Sequence, residues 1–156
     1  MDEHARGVMD RLLMDMVNQV ASESRDRSTK VGCVIVDSDN QILSTGFNGF
    51  AAGVDTSIDE RYARPLKYKW TEHAERNAIY RAAKEGVSLT GSTMYLSCLP
   101  CCDCARAIIQ SGIVSLKVAS LDLIPNWEDD QRIALTMLSE AGVSIVKIAP
   151  SIYPIG

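Results

Sequence analysis

Apolar residues near the start of the chain recur at helical spacing: Ala5, Val8, Met9, Leu12, Met16, Val17 and Val20. That period predicts an amphipathic helix with one face turned to a core. The period then changes. Val31-Gly32-Cys33-Val34-Ile35-Val36 is a continuous, largely β-branched run bounded by turn residues, which predicts a buried strand. Asp37 to Asn40 reads as a turn and Gln41 to Phe47 as a second strand, together a hairpin. From Asn48 to about Thr71 no period persists, and irregular stretches of that length in compact domains are usually functional or mobile. A helix is predicted from near His73 through Ala78, Ile79, Ala82 and Ala83, stopping at Gly86. Then follow a strand at Thr93 to Ser97, a helix at Cys102 to Gln110 ended by Gly112, and a strand at Val114 to Ser120. A helix at Glu128 to Ala141 closed by Gly142 and a strand at Val143 to Ile148 complete the pattern.

The predicted order is α-β-β-α-β-α-β-α-β. Strands separated by helices favour parallel pairing through right-handed crossovers. The expected fold class is α/β: a three-layer α-β-α sandwich with one five-stranded mixed sheet and helices on both faces. The opening hairpin is expected to supply the single antiparallel pair. With 156 residues, 46% of them hydrophobic, and no repeat or linker, residues 1–156 read as one domain.

The formal net charge of -4 gives no chain-wide attraction to a polyanion. A small phosphate-bearing molecule remains compatible, since it needs only a local cluster of donors. The first ten residues carry acids and no apolar run, and no stretch approaches the ~20 apolar residues of a membrane span. The expectation is a soluble, cytoplasmic protein without a membrane partner. Five cysteines, three of them at positions 101, 102 and 104, point in such a chain to metal or catalytic chemistry rather than disulfides.

Two short stretches carry that chemistry: His73-Ala74-Glu75 and Pro100-Cys101-Cys102-Asp103-Cys104. H-x-E with P-C-x-x-C is the zinc-deaminase signature. Cys101 and Cys104, three apart at a helix start, lie on one face, where the helix dipole favours the thiolate a metal needs. His73 adds a third ligand. Three protein ligands leave one tetrahedral position for water, as in catalytic zinc sites. Glu75, two residues past the histidine, is placed to take a proton from that water and return it to a substrate. The bland alternative is a closed structural site, which would want a fourth cysteine or histidine. Cys98 precedes Pro100 on the strand end, Cys102 sits between the two ligands and points elsewhere on the helix, and Cys33 is an ordinary small strand residue. The accompanying carboxylate favours the catalytic reading.

These residues resemble the deoxycytidylate deaminases of the cytidine deaminase superfamily. The resemblance runs from about Arg25 to Lys147 through the segments STKVGCVIVD, STGFNGF, LKYKWTEHAERNAI, PCCDCARAIIQSGI and MLSEAGVSIV. It implies one Zn²⁺ per subunit, a homo-oligomer and a small-molecule nucleotide substrate. It implies that Asn48 hydrogen-bonds the sugar, and that Ala74, Pro100 and Cys101 surround the base, the water and the departing ammonia. The implied reaction adds water to C4 of cytosine in dCMP, with Glu75 protonating N3, and yields dUMP for thymidylate synthesis. Two departures fall on loops. Ala51-Ala52 follows the Asn-Gly-aromatic turn where a proline is usual, and Leu99 stands where many relatives carry phenylalanine.

Arg25, Arg27, Lys30 and Lys67 are candidates for a substrate phosphate, with Ser24 and Ser28 as hydroxyl donors. Their bland reading is solvated surface charge. Tyr62, Tyr68 and Trp70 could close over a base or simply pack the long loop. The competing functions are a deaminase of cytidine, guanine or another base, a tRNA adenosine deaminase, and a zinc-stabilised scaffold. The acidic balance argues against a folded RNA partner.

Overall fold

The computed structural model describes residues 1–151. Helix α1 (Glu3–Ala21) is capped by Asp2, whose carboxylate accepts from the Ala5 amide. Strands β1 (Gly32–Val36) and β2 (Ile42–Phe47) follow as an antiparallel hairpin. After the irregular stretch come α3 (Ala74–Glu85), β5 (Thr93–Leu96), α4 (Cys102–Gln110), β6 (Ser115–Val118), α5 (Glu128–Glu140) and β7 (Ser144–Lys147). Gly86, Gly112 and Gly142, each with positive φ, sit just past the three later helices, as a left-handed stop requires.

The sheet order is β2-β1-β5-β6-β7. The five-stranded mixed sheet and three layers therefore match the sequence pattern, with one correction. β1 is antiparallel to β5 as well as to β2, so there are two antiparallel pairs rather than one. The crossover through α3 joins β2 to β5, not β1 to β5. β2, β5, β6 and β7 all run parallel, and β1 is the inverted strand between two of them.

Alternation along the strands divides the core. Tyr95, Val34 and Val36 meet Leu13, Met14 and Val17 of α1 on one face. Cys33, Ile35, Met94, Leu96 and Leu116 meet Ala74, Ala78, Ala105, Ile108, Ala134 and Leu138 on the other. Two glycines set how close the layers come. A Cβ at Gly32 would fall 2.1 Å from the Val17 carbonyl oxygen of α1. One at Gly46 would fall 2.4 Å from the Ala74 carbonyl oxygen of α3. α3 therefore lies against the bare backbone of β2, further fixed by the Ser44 hydroxyl donating to the Ala78 carbonyl at 2.7 Å.

The stretch expected to be irregular holds short elements: β3 (Gly49–Phe50), a 3-10 turn (Asp59–Tyr62), α2 (Lys67–Trp70) and β4 (Thr71–Glu72). β3 pairs with β4 through Gly49–Glu72 and Phe50–Thr71. Continued one step, that register sets Asn48 opposite His73. Two-residue strands carry too little periodicity to be read from a sequence. Among the described residues no helix is long and apolar enough to cross a membrane.

Candidate active site

Parallel strands put their carboxyl ends on one side, and α/β sheets bind ligands there. β2 ends at Phe47 beside Asn48, β5 ends at Leu96 before Cys98 to Cys101, and β6 ends at Val118 before Ile124 and Trp127. A cavity of about 190 Å³ opens among these ends. His73, Ala74, Glu75, Cys101 and Asn48 all line it.

His73 is the N-cap of α3 and Cys101 the N-cap of α4, so each ligand precedes a helix that points its amino end at the cavity. The Sγ atoms of Cys101 and Cys104 each lie 3.4 Å from His73 Nδ1. The three ligand atoms are all within 4.8 Å of one another, positioned to bind a metal ion. Two thiolates and an imidazole are zinc-type donors, and three of them leave a coordination position open. The two thiols act as a coupled pair. A hydrogen bond from Cys104, opposed by burial and helped by His73, brings the Cys101 thiol down to about 4. The thiolate so formed, with burial, pushes Cys104 up. One thiolate forms readily, and a bound cation would draw off the second proton. The hydrogen bond with Cys101 raises His73.

Glu75 is 4% exposed. Burial raises its carboxyl above the ordinary range, partly offset by the neighbouring His73. A buried carboxyl on the wall of the same cavity is placed to exchange protons with whatever binds there.

Several residues that sequence patterns did not single out hold this arrangement. Glu72 accepts from the His73 amide at 3.1 Å and pairs with Arg76, which reaches Asp103 between the two cysteines at 3.2 Å. Asp130 of α5 caps α4, accepting from the Cys102 amide at 2.9 Å. Buried Gln131 donates to the Leu99 carbonyl at 2.9 Å and accepts from the Ile124 amide at 2.7 Å. It thereby ties the metal turn to the loop after β6. An acid at the start of a helix is a visible capping signal, but which helix it caps is set only by the fold.

Asn48 is buried, and its amide is half used. Its oxygen accepts from the Val31 amide and its nitrogen donates to the Thr29 carbonyl. One N–H and one lone pair remain for a ligand. The basic candidates separate. Lys67 lines the cavity, whereas Arg25, Arg27 and Lys30 are exposed and do not. Arg25 donates to the Thr56 hydroxyl beside a second cavity, and Arg27 pairs with Asp59. Pro100 is buried and is likewise not among the lining residues. Arg64, not among the sequence candidates, does line it. Of the aromatic candidates, Tyr68 lines the cavity and sets its ring edge-on to Trp127 at 6.1 Å. Tyr62 and Trp70 instead pack on Phe50.

Comparison with known proteins follows the same lines. The family described as the cytidine and deoxycytidylate deaminase zinc-binding region matches residues 8–120. The chain is 39% identical over 132 residues to an uncharacterized deaminase in the luxG 3′ region of Aliivibrio fischeri, covering 83% of this chain and 86% of that one. It is 32% identical over 135 residues to the human deoxycytidylate deaminase, covering 83% and 74%. Among solved structures it is similar to the dCMP deaminase of cyanophage S-TIM5 in complex with dCMP and dUMP. The TM-score there is 0.73 at 25% identity, covering 94% of this chain and 98% of the other.

Proposed function

This chain belongs to the cytidine and deoxycytidylate deaminase family, and from that membership we propose that it hydrolyses dCMP to dUMP and ammonia. One observation carries the chemistry: a three-ligand metal cluster and a buried carboxyl face a single cavity. The substrate choice is supported by the human relative, a deoxycytidylate deaminase, and by the cyanophage relative, which binds dCMP and dUMP.

Zinc is the cofactor, and His73, Cys101 and Cys104 would hold it. Bound there, it supplies Lewis acidity that lowers the pKa of water toward ~7. Glu75 takes one proton from the attacking water and delivers it to N3 of the cytosine as oxygen bonds to C4. It then takes the second water proton and passes it to the exocyclic nitrogen. The C4–N4 bond breaks, ammonia leaves, and the carbonyl of uracil remains. Burial of Glu75 keeps bulk water from competing for these protons. The Gln131 clamp on Leu99 holds the wall beside the base, and the unused half of the Asn48 amide is available to the sugar.

A nucleotide substrate accords with a cytoplasmic enzyme that supplies thymidylate synthesis. Tyr80 of α3 and Ile133 of α5, each more than half exposed, offer apolar surface for a homo-oligomer.

The test is ammonia release from a panel of dCMP, CMP, deoxycytidine, cytosine, dCTP, adenosine and guanine. Highest kcat/KM on dCMP is the expected outcome. Turnover confined to guanine or adenosine would remove the cytosine-nucleotide reading.

A further inference from the structure

We propose that Arg64 makes this a nucleotide site: its guanidinium receives the 5′-phosphate, while Lys67, the other basic side chain on the cavity wall, does not. The inference rests on the dCMP reading above.

A phosphate dianion entering the cavity must meet positive charge that has no counter-ion of its own. Lys67 does not meet that condition. It is buried, and its Nζ lies 3.3 and 3.2 Å from the two carboxylate oxygens of Asp26 and 3.0 Å from the Ser28 hydroxyl. An ammonium has three protons, and here each has an acceptor. Asp26 is itself buried and also accepts from the Ser28 and Thr29 amides, both at 2.9 Å. Drawing Lys67 onto a phosphate would leave a buried carboxylate without its cation, which is strongly unfavourable. The pair is therefore a neutral part of the wall.

Arg64 is different in each respect. It is exposed and lines the cavity, and it has no ion-pair partner among the described residues. Its Nε donates to the Tyr68 hydroxyl at 2.9 Å, which fixes one edge of the guanidinium. The two terminal nitrogens, with four N–H groups, have no protein acceptor among the described residues. A planar fork with one edge anchored and the rest unsatisfied suits bidentate capture of a phosphate. Tyr68 in turn rests against Trp127, so the anchor is itself packed. His73, Cys101, Glu75 and Arg64 line one cavity, as a substrate with both a reacting base and a phosphate demands.

The experiment compares kcat/KM of the zinc enzyme for dCMP and for deoxycytidine in wild type, Arg64→Gln, Arg64→Lys and the double variant Asp26→Asn/Lys67→Met. The double variant removes the neutral pair as a unit. The dCMP/deoxycytidine ratio should fall roughly 30-fold or more in Arg64→Gln, mainly through KM, with part of it recovered in Arg64→Lys. In the double variant it should stay within about threefold of wild type, since a neutral pair contributes no net charge. An unchanged ratio in Arg64→Gln, or a collapse in the double variant alone, overturns the assignment and leaves the dCMP reading standing. A wild-type ratio near one instead removes the dCMP reading, and the phosphate contact with it.

Discussion

Gly46→Ala tests whether the catalytic geometry depends on how closely α3 lies on β2. The new Cβ would sit 2.4 Å from the Ala74 carbonyl oxygen and 2.5 Å from the Ala78 nitrogen. Nonbonded carbon prefers roughly 3.5 Å, so the helix must retreat by roughly 1 Å. Both obstacles are backbone atoms, so no side-chain rotation relieves the clash. Ala74 stands between His73 and Glu75, and the retreat carries both away from Cys101 and Cys104 on α4. Overpacking of this kind costs roughly 1–3 kcal/mol, and a misplacement of ~1 Å at a reacting centre can cost ~100-fold in rate. Gly32→Ala is the control. Its Cβ would meet the Val17 carbonyl at 2.1 Å and the Ala21 nitrogen at 2.8 Å, but α1 carries no metal ligand and no proton shuttle. Thermal unfolding, zinc content and kcat of the folded, zinc-loaded fraction should be measured for both. Both variants should lose stability, and Gly46→Ala alone should lose about 100-fold in kcat. Equal loss of kcat in the two, or a Gly46→Ala enzyme as fast as wild type, would refute the reasoning.

Glu75→Gln keeps the shape and removes the proton carrier, so kcat should fall at least 10²- to 10⁴-fold. Zinc content should not change, because Glu75 is outside the three-ligand cluster; wild-type ammonia release would sink the mechanism. Asp26 predicts a pH effect. Burial alone would raise its carboxyl, but the Thr29 and Ser28 amides and the Lys67 ammonium outweigh it and hold it below its ordinary value. A depressed folded-state pKa contributes stability above the unfolded value of about 3.9 and loses it as pH falls through the folded value. Stability should therefore drop more steeply from about pH 5 to 2 in wild type than in Asp26→Asn, and equal slopes in acid unfolding would contradict this.

The element order was legible because it rests on local patterns. The 3.6-residue period of α1, the unbroken apolar run of β1 and the glycines after α3, α4 and α5 each act within a few residues of themselves. The metal cluster was legible for a related reason. Cys101 and Cys104 are held together by one helical turn, and Glu75 is tied to His73 by two peptide bonds. The orientation of β1 was not legible, because the strand after a crossover need not pair with the strand before it. The helix α3 bridges from β2 past β1 to β5, and nothing in the local pattern of residues 31–47 records which of the two hairpin strands ends up inside.

Charge was the least legible property, and for a physical reason. A basic residue in a sequence is counted alone, whereas its use depends on what neutralises it. Lys67 and Arg64 are three residues apart and line the same cavity. Asp26, 41 residues before Lys67, takes up the charge of the lysine. Among the described residues the arginine bonds only a neutral tyrosine hydroxyl, so its charge has no counter-ion there. Gln131 and Asp130 follow the same logic with hydrogen bonds in place of charge. Each is an unremarkable polar residue on α5, and each becomes part of the site only because α5 packs on α4 and sets it against the metal turn. The metal cluster is thus written in short motifs, while the availability of each nearby charge depends on what the fold brings beside it. Substitution at Arg64 should therefore change the preference for a phosphorylated substrate without touching His73, Glu75, Cys101 or Cys104.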